Sequence, residues 1–369
     1  MKINPWTVGL AAAGVISFAG TAQAEEAKNQ VMTAVSGTTL SGYVSTSARW
    51  DFSSAAGVSA YRFGAGKADG FNLDVVNVTV AKAPGEGEWA SGYKAEMVFG
   101  PDANAGLGGG FGLKQAYVAL RAPVGNGLDI KMGVFDSVIG YEATNSPDNP
   151  NYTRSWGNTI DPVQHTGILA SYRFCENFSG SIGVANTALG NINARNGSAQ
   201  SQKTYMAAIS ATAPESFGAL KGTVLNAGVV DAQSNGAAND ITYIYVGATI
   251  PTPMENLTVG LAWDHHMQNA ATDAQVLAAY VSYKASDKLK VNVRADYLDN
   301  NSAVVGAFAG SAEILTTTVT LDYSLWENVL SRLEYRWDHA ASGRVAGAGP
   351  FGGGRVNANQ VIANVVYKF

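Results

Sequence analysis

The chain has 369 residues, one cysteine and a formal net charge of −5, a length that fits two soluble domains or one large barrel. The small net charge and the lack of a basic cluster exclude an extended nucleic-acid surface, and one cysteine excludes an intrachain disulfide. Neutral mean hydropathy excludes a bundle of membrane helices.

Residues 1–24 have the organisation of a secretory signal peptide. Lys2 precedes the apolar run GLAAAGVISFAG, and an A-x-A site stands directly before Glu25. The apolar run is too short to span a membrane as a helix. The sequence therefore predicts cleavage after Ala24, export of the mature chain, and a short polar lead-in over 25–37.

From residue 38 onward, segments that alternate apolar and polar side chains are separated by connections rich in Gly, Pro and Asn. Alternation places successive side chains on opposite faces of a strand, so each segment predicts a ribbon with one apolar and one polar face. An even number of strands suits an antiparallel up-and-down barrel with both chain ends on one side. We predict sixteen strands, near 38–50, 71–82, 88–99, 111–122, 128–138, 162–174, 177–188, 201–213, 219–231, 239–250, 256–268, 274–285, 288–300, 311–325, 328–340 and 357–369.

The predicted connections alternate in length. Those after the even strands are tight, such as PGEG, PVGNG, PESFG and PTPMEN, whereas most of those after the odd strands are longer, including 51–70, 100–110 and 139–161. This alternation is typical of a transmembrane β-barrel with short periplasmic turns and longer extracellular loops. A soluble, half-buried sheet would share the side-chain alternation but not this pattern of connections.

Aromatic residues at segment ends favour the membrane alternative, because aromatic girdles mark the two interfaces of membrane barrels. The last segment also ends on an aromatic residue and would expose an unpaired edge unless it met the first strand, which would close the barrel. The predicted membrane-interface residues are Trp50, Trp89, Phe99, Trp326, Trp337, Tyr367 and Phe369.

Several stretches, among them SGYVSTSARW, KQAYVALRAPVGNGLDIKMGVFDSVIGYE and NPNYTRSWGNTIDPVQHTGILASY, resemble the putative beta-barrel porin family of Gram-negative bacteria. The similarity is strongest over 40–175 and continues more loosely to the C-terminal YKF. It implies an outer-membrane channel for passive diffusion of small hydrophilic solutes or ions. It also implies contact with outer-membrane lipid, insertion by the barrel-assembly machinery through the C-terminal strand, and a homotrimer.

Porins of sixteen strands fold their third long loop into the barrel, and the segment 139–161 is the third long connection here. Its acidic residues could face a passage, while its aromatic and arginine side chains could pack against a wall; an ordinary surface loop is the alternative. The candidate constriction residues of the loop are Glu142, Asp148, Tyr152, Arg154, Trp156 and Asp161.

A basic wall opposite such a loop would create a transverse electric field across the passage. Strand parity gives two basic groups on the polar face, and the second has Asp296, Glu334 and Asp338 beside it. We expect the first group to face the loop, although either could simply line a solvated lumen. The first group is Arg49, Lys94, Arg121 and Lys131, and the second is Lys290, Arg294, Arg332 and Arg336.

Two other functions stay open at this stage. A solute-specific facilitator would use aromatic residues such as Tyr152 and Trp156 to bind a sugar or an organic acid. An outer-membrane barrel enzyme would need a nucleophile, a base and an orienting group, and the scattered Ser and His residues offer no such set. His265 and His266 are adjacent in a predicted strand and face opposite sides, so they cannot share one metal ion, and we predict no metal site. We also predict no cofactor and no catalysed reaction.

Overall fold

The computed structural model describes residues 31–32, 37–52, 61–64, 66–67, 69–85, 87–103, 111–188, 190, 192–195, 202–233, 240–269, 272–301, 311–341 and 355–369. The predicted signal peptide, 1–24, and most of the lead-in, 25–37, lie outside the described residues. Within the described part of the chain, no helix is both long and apolar enough to cross a membrane.

The described strands form one antiparallel sheet that closes on itself. After the two-residue strand β1, sixteen strands each pair with the next, and the last pairs with β2 from Tyr43 opposite Lys368 to Asp51 opposite Gln360. The predicted all-β fold, a closed sixteen-strand antiparallel barrel, is confirmed. The strands are β1 (Val31–Met32), β2 (Thr39–Asp51), β3 (Gly70–Lys82), β4 (Ala90–Phe99), β5 (Phe111–Ala122), β6 (Leu128–Asp136), β7 (Gln164–Cys175), β8 (Phe178–Ala185), β9 (Thr204–Thr212), β10 (Val224–Ala232), β11 (Ile241–Pro251), β12 (Leu257–Asn269), β13 (Thr272–Lys284), β14 (Leu289–Asn301), β15 (Ala312–Tyr323), β16 (Val329–Ala340) and β17 (Asn357–Lys368).

The barrel has a polar interior and an apolar exterior. On β15, the threonines at 316, 318 and 320 point inward and are fully buried, while Leu315, Val319 and Leu321 are exposed on the outside. β14 and β16 bury charged residues on the same inner face. A soluble sheet would bury the apolar row instead, so this arrangement is that of a transmembrane barrel.

The two ends of the barrel differ in their connections, and we name them the short-turn end and the long-loop end. β1 lies at the short-turn end, where Val31 pairs with Leu40 and Met32 with Thr39. The predicted polar lead-in therefore contains a strand. Two paired residues are too few to show a period of two, which explains why the sequence pattern did not indicate β1.

One connection at the short-turn end is longer than predicted. The ninth predicted strand was expected to start at 219, but β10 starts at Val224, and a 3-10 helix occupies Glu215–Leu220. Pro214 lacks a backbone N–H, and Gly218 adopts φ +57 inside the turn, so neither suits a strand. The strict short–long alternation therefore fails at this connection.

Closure between the first and last barrel strands depends on a glycine. The Gly42 N–H donates to the Phe369 carbonyl at 2.9 Å, and the Phe369 N–H donates back to Gly42 at 3.0 Å. The Phe369 ring lies where a side chain at position 42 would project. Phe369 therefore covers the backbone at the point where the barrel closes.

The predicted interface aromatics lie at the ends of strands or in the adjacent turns. Trp50, Trp89, Trp326 and Tyr367 are substantially exposed on the outside of the barrel. Trp337 donates its indole N–H to Asn357 at 3.1 Å. Their role as anchors at the membrane interface stays a prediction.

We predict that Gly42→Ala destabilises the barrel, because the new Cβ would lie 2.1 Å from the Asn77 carbonyl oxygen and 2.8 Å from Phe369 Cζ. Overpacking of this kind costs about 1–3 kcal/mol. The measurement is the temperature at which the folded band is lost in heat-modifiable gel electrophoresis. Gly85→Ala is the control, because nothing lies within 4 Å of its added Cβ; equal melting of both variants would contradict the prediction.

Candidate constriction site

The segment between β6 and β7 leaves the barrel wall and crosses the lumen. Its two ends stay together, since the Ser137 N–H donates to the Val163 carbonyl at 2.9 Å. Its middle reaches the opposite wall, where Asn151 donates to the Thr320 hydroxyl at 2.7 Å and the Tyr152 N–H donates to Glu334 at 2.6 Å. The structure therefore places the segment 139–161, which we name the inner loop, inside the barrel.

The inner loop contains the short helix α1 (Trp156–Ile160). Ser155 starts it by accepting a hydrogen bond from the Asn158 N–H. Trp156 fixes the helix to the wall: its backbone N–H donates to Asp296 at 3.0 Å, and its indole N–H donates to Thr316 at 2.8 Å. Trp156 is fully buried, so it packs the loop against β14 and β15 and does not line a passage.

Arg294 holds the loop through a buried set of ion pairs. Its guanidinium contacts Glu142 of the loop at 3.0 Å and Asp296 of its own strand at 3.0 Å. The other Glu142 oxygen accepts from the N–H and the hydroxyl of Ser155 at 2.8 and 2.9 Å. Because every charge here has partners, burial does not leave an unpaired ion.

Two further arginines bind backbone carbonyls of the loop. Arg332 donates to the Ser146 carbonyl at 2.9 Å while paired with Asp322, and Arg336 donates to the Arg154 carbonyl at 2.7 Å while paired with Asp338. The second basic group of the sequence analysis thus carries the loop, with Lys290 beside Asp322 on the same wall. The expectation that the first group faces the loop across a passage concerns the other wall and stays a prediction.

Arg154 and Tyr152 stabilise the loop from within. Arg154 donates to the carbonyls of Ala143, Tyr152 and Thr144 at 3.2, 2.8 and 3.1 Å, which joins the two arms of the loop. The Tyr152 hydroxyl donates to Asp74 of β3 at 2.8 Å. Both side chains are buried. Among the candidate constriction residues, Arg154 and Tyr152 therefore hold the loop in place.

The first long connection also contributes residues to the site, and the sequence pattern did not indicate them. Its described residues reach into the lumen, where Arg62 donates to the carbonyls of Thr159 and Asp161 at 3.0 and 2.8 Å. Lys67 pairs with Asp102 at 2.6 Å and donates to the Tyr152 hydroxyl at 3.1 Å. Alternation cannot detect such residues because they lie outside strands.

The residues of the first basic group lie at different heights along the barrel axis. Lys94 pairs with Glu96 at 2.8 Å, Lys131 lies 5.0 Å from the Tyr117 ring centre, and Arg49 is buried 3.5 Å from Asp51. Arg121, in contrast, lies near the short-turn end, 3.7 Å from Asp129. Its assignment to the constriction is corrected, because parity fixes which face a residue is on but not its height along the strand.

Asp148 is the acidic residue on the open side of the inner loop. It is exposed, whereas Glu142 and Asp161 are buried. Its carboxylate interacts electrostatically with the Lys94 ammonium. Asp148 of the inner loop and Lys94 of β4 therefore interact with each other inside the lumen.

Asp161 ends α1 beside a second carboxyl, that of Asp264 on β12. Burial raises the pKa of the Asp161 carboxyl to about 7, while its interaction with Asp264 and the charge of Arg62 act in the opposite direction. A Cβ at position 157 would collide with the Asp264 carboxylate, so a larger residue there would displace that side chain. Close to neutral pH the Asp161 carboxyl therefore keeps part of its protons, which reduces its repulsion with Asp264.

The histidines after Asp264 lie on opposite faces of β12. His265 points outward and contacts Asp273 at 2.7 Å, whereas His266 points inward, with its ring centre 4.7 Å from that of Tyr243. Among the residues that the structure describes, no group of three or more His, Cys, Asp or Glu side chains could hold a metal ion.

Residues 37–369 match the family described as Putative beta-barrel porin-2, OmpL-like. The chain belongs to this family. Among curated proteins, no sequence matches this porin. Family membership and the closed barrel make it an outer-membrane channel of Gram-negative bacteria for passive diffusion of small solutes.

Solved structures with the same fold include three porins and channels. An anion-selective porin from Comamonas acidovorans is 13% identical, with a TM-score of 0.60 over 90% of this chain and 99% of that one. The outer membrane channel DcaP of Acinetobacter baumannii is 14% identical, with a TM-score of 0.61 over 92% and 99%. OmpF of Salmonella typhi, in complex with daunomycin, is 13% identical, with a TM-score of 0.61 over 92% and 100%. Identities this low show a shared fold alone.

We predict that Arg294→Gln detaches the inner loop, because Glu142 and Asp296 would stay buried without their cation. Removing one partner of a buried ion pair costs about 3–5 kcal/mol. Single-channel recordings should then show a larger conductance and more open-channel noise. Lys290→Gln, on the same face of the same strand, is the control, and an unchanged conductance in Arg294→Gln would contradict the assigned anchor.

We predict that docking of the inner loop weakens as the pH rises. The pKa of Asp161 in the docked loop, about 7, exceeds the value of about 3.9 for an exposed aspartate. The contribution of Asp161 to docking is therefore fully present below about pH 4 and is lost progressively until about pH 7. Open-channel noise should increase between pH 5 and pH 8 and stay constant in Asp161→Asn, whereas Asp148→Asn should keep the dependence.

Proposed function

We propose that solutes cross this porin through an eyelet between the inner loop and the wall formed by β4–β6. The observation that carries the proposal is the attachment of the loop to the opposite wall by Arg294, Arg332 and Arg336. Sixteen strands enclose a lumen too wide for their own side chains to fill. A loop held against β14–β16 and β3 leaves the cross-section in front of β4–β6 as the passage.

The two sides of the proposed eyelet carry opposite charges. Asp148 is the exposed acid on the loop, while Lys94 and Lys131 project from β4 and β6. Charges on opposite sides of a narrow aqueous passage create a transverse field that orders water and orients polar solutes. We propose that this field and the fixed width select solutes, with no chemical reaction taking place.

The orientation and partners of this porin are part of the proposal. The short-turn end would face the periplasm, the outward apolar rows would contact outer-membrane lipid, and β17 would be recognised by the barrel-assembly machinery. Residues 1–24 would be removed as a signal peptide. A homotrimer is proposed by analogy, supported by a solved structure of similar fold, OmpT of Vibrio cholerae, that is described as a trimer form.

The buried aromatic residues argue for general diffusion over a solute-specific facilitator. Tyr141 of the inner loop stacks on Tyr280 at 4.3 Å between ring centres, and Tyr243 and Tyr245 are buried in the same cluster. Trp156 is fully buried as well. These rings support the loop, so they are not placed to form a row of stacking surfaces for a sugar.

We predict that neutralising the two sides of the eyelet shifts ion selectivity in opposite directions. Lys94→Gln with Lys131→Gln should favour cations, and Asp148→Asn should favour anions, because each removes one source of the field. Reversal potentials in a KCl gradient measure both shifts. Lys221→Gln, an exposed residue in the connection before β10, is the control; unchanged potentials in folded, conducting variants would remove the eyelet assignment.

A further inference from the structure

A recess opens in the lumen wall at the short-turn end, away from the inner loop. It has a volume of about 600 Å³ and lies among the ends of β5–β8. This volume falls within the range of about 300–1,000 Å³ that is usual for small-molecule sites. Its lining includes Arg121, Asp129, Ser171, Arg173, Cys175 and Ser179.

Two polar groups of the recess form no side-chain hydrogen bond or ion pair with the described residues. The Arg173 guanidinium is one of them, although the Asp129 carboxylate interacts with it electrostatically; the Arg173 backbone carbonyl accepts from Asn126. Ser179, directly opposite Arg173 in the β7–β8 register, is 3% exposed, and its hydroxyl has no partner. A buried hydroxyl without a partner costs free energy, and a ligand that hydrogen-bonds to it recovers that cost.

The other charges of the recess are already used or lie at its rim. Arg121 is paired with Asp129 at 3.7 Å and donates to the Asn126 carbonyl at 3.3 Å. Glu176 is an exposed residue of the turn, where salt screens its charge. Arg173 is therefore the cation available to a ligand, and a guanidinium binds a carboxylate through two parallel hydrogen bonds.

We propose that the recess binds a small carboxylate that also carries hydroxyl groups, which would make it a second selective site on the permeation path. The carboxylate pairs with Arg173, and a hydroxyl of the solute hydrogen-bonds with Ser179 and Ser171. The inference rests on the proposed function only in that the recess lies on the path of diffusing solutes. It assigns a solute class, which the eyelet alone does not.

Cys175 supplies the test, because it lines the recess, is exposed and is the only cysteine of the chain. The refolded porin is labelled with an uncharged methanethiosulfonate reagent, with and without gluconate. At a concentration of about three times the dissociation constant, about a quarter of the sites stay free, so labelling slows ~4-fold. Glucose at the same concentration, and KCl at the same ionic strength, should leave the rate unchanged.

Arg173→Gln is the decisive variant, and Lys221→Gln is its control. Within each variant, the ratio of labelling rates with and without gluconate is compared, so that a change in the reactivity of the thiol itself cancels. Protection should disappear in Arg173→Gln, weaken in Ser179→Ala and persist in Lys221→Gln. Equal protection by glucose, or protection that survives Arg173→Gln, would overturn the inference.

Conductance in a planar bilayer, measured on the same preparations, separates this inference from the proposed function. Conducting porin whose Cys175 is not protected by gluconate would overturn the carboxylate site and leave the eyelet intact. Protection by gluconate in folded porin without conductance would support the recess as a binding site and count against the open channel.

Discussion

A chain segment that crosses the inside of a barrel takes its backbone polar groups away from other strands, and this structure depends on satisfying them. The inner loop meets the requirement with charged side chains of the wall. Arg332 and Arg336 donate to its carbonyls, and Glu334 accepts from the N–H groups of Tyr152 and Thr153. Hydrogen bonds to charged groups are about twice as strong as neutral ones, so a few residues hold a long irregular segment.

The same requirement separates the charges of the lumen into two groups. On β14–β16, each arginine that binds the loop has a carboxylate on its own or the adjacent strand, as in the pairs Arg294–Asp296 and Arg332–Asp322. These charges are neutralised and inaccessible. The transverse field that we propose is therefore assigned to Asp148, Lys94 and Lys131, which do not anchor the loop to β14–β16.

The barrel could be predicted from the sequence because its cause is local: a period of two fixes which side chains face inward, and the inward rows of β14–β16 are as expected. The constriction could not be predicted in the same detail. Parity does not give height, so Arg121 was grouped with Lys94, and it does not show which wall a loop will contact. The contact between Arg294 and Glu142 joins residues 152 positions apart, and no local pattern encodes such a distance.

The attachment of the inner loop also constrains the order in which the chain assembles. Both stems of the loop are joined at β6 and β7, but its anchors belong to strands that are synthesised much later; Tyr152 and Glu334 are 182 residues apart. Contacts of such high sequence separation form slowly because the intervening chain must first be ordered. The loop therefore reaches its anchors only after β14–β16 have joined the sheet, either before β17 pairs with β2 or through the mouth of the closed barrel.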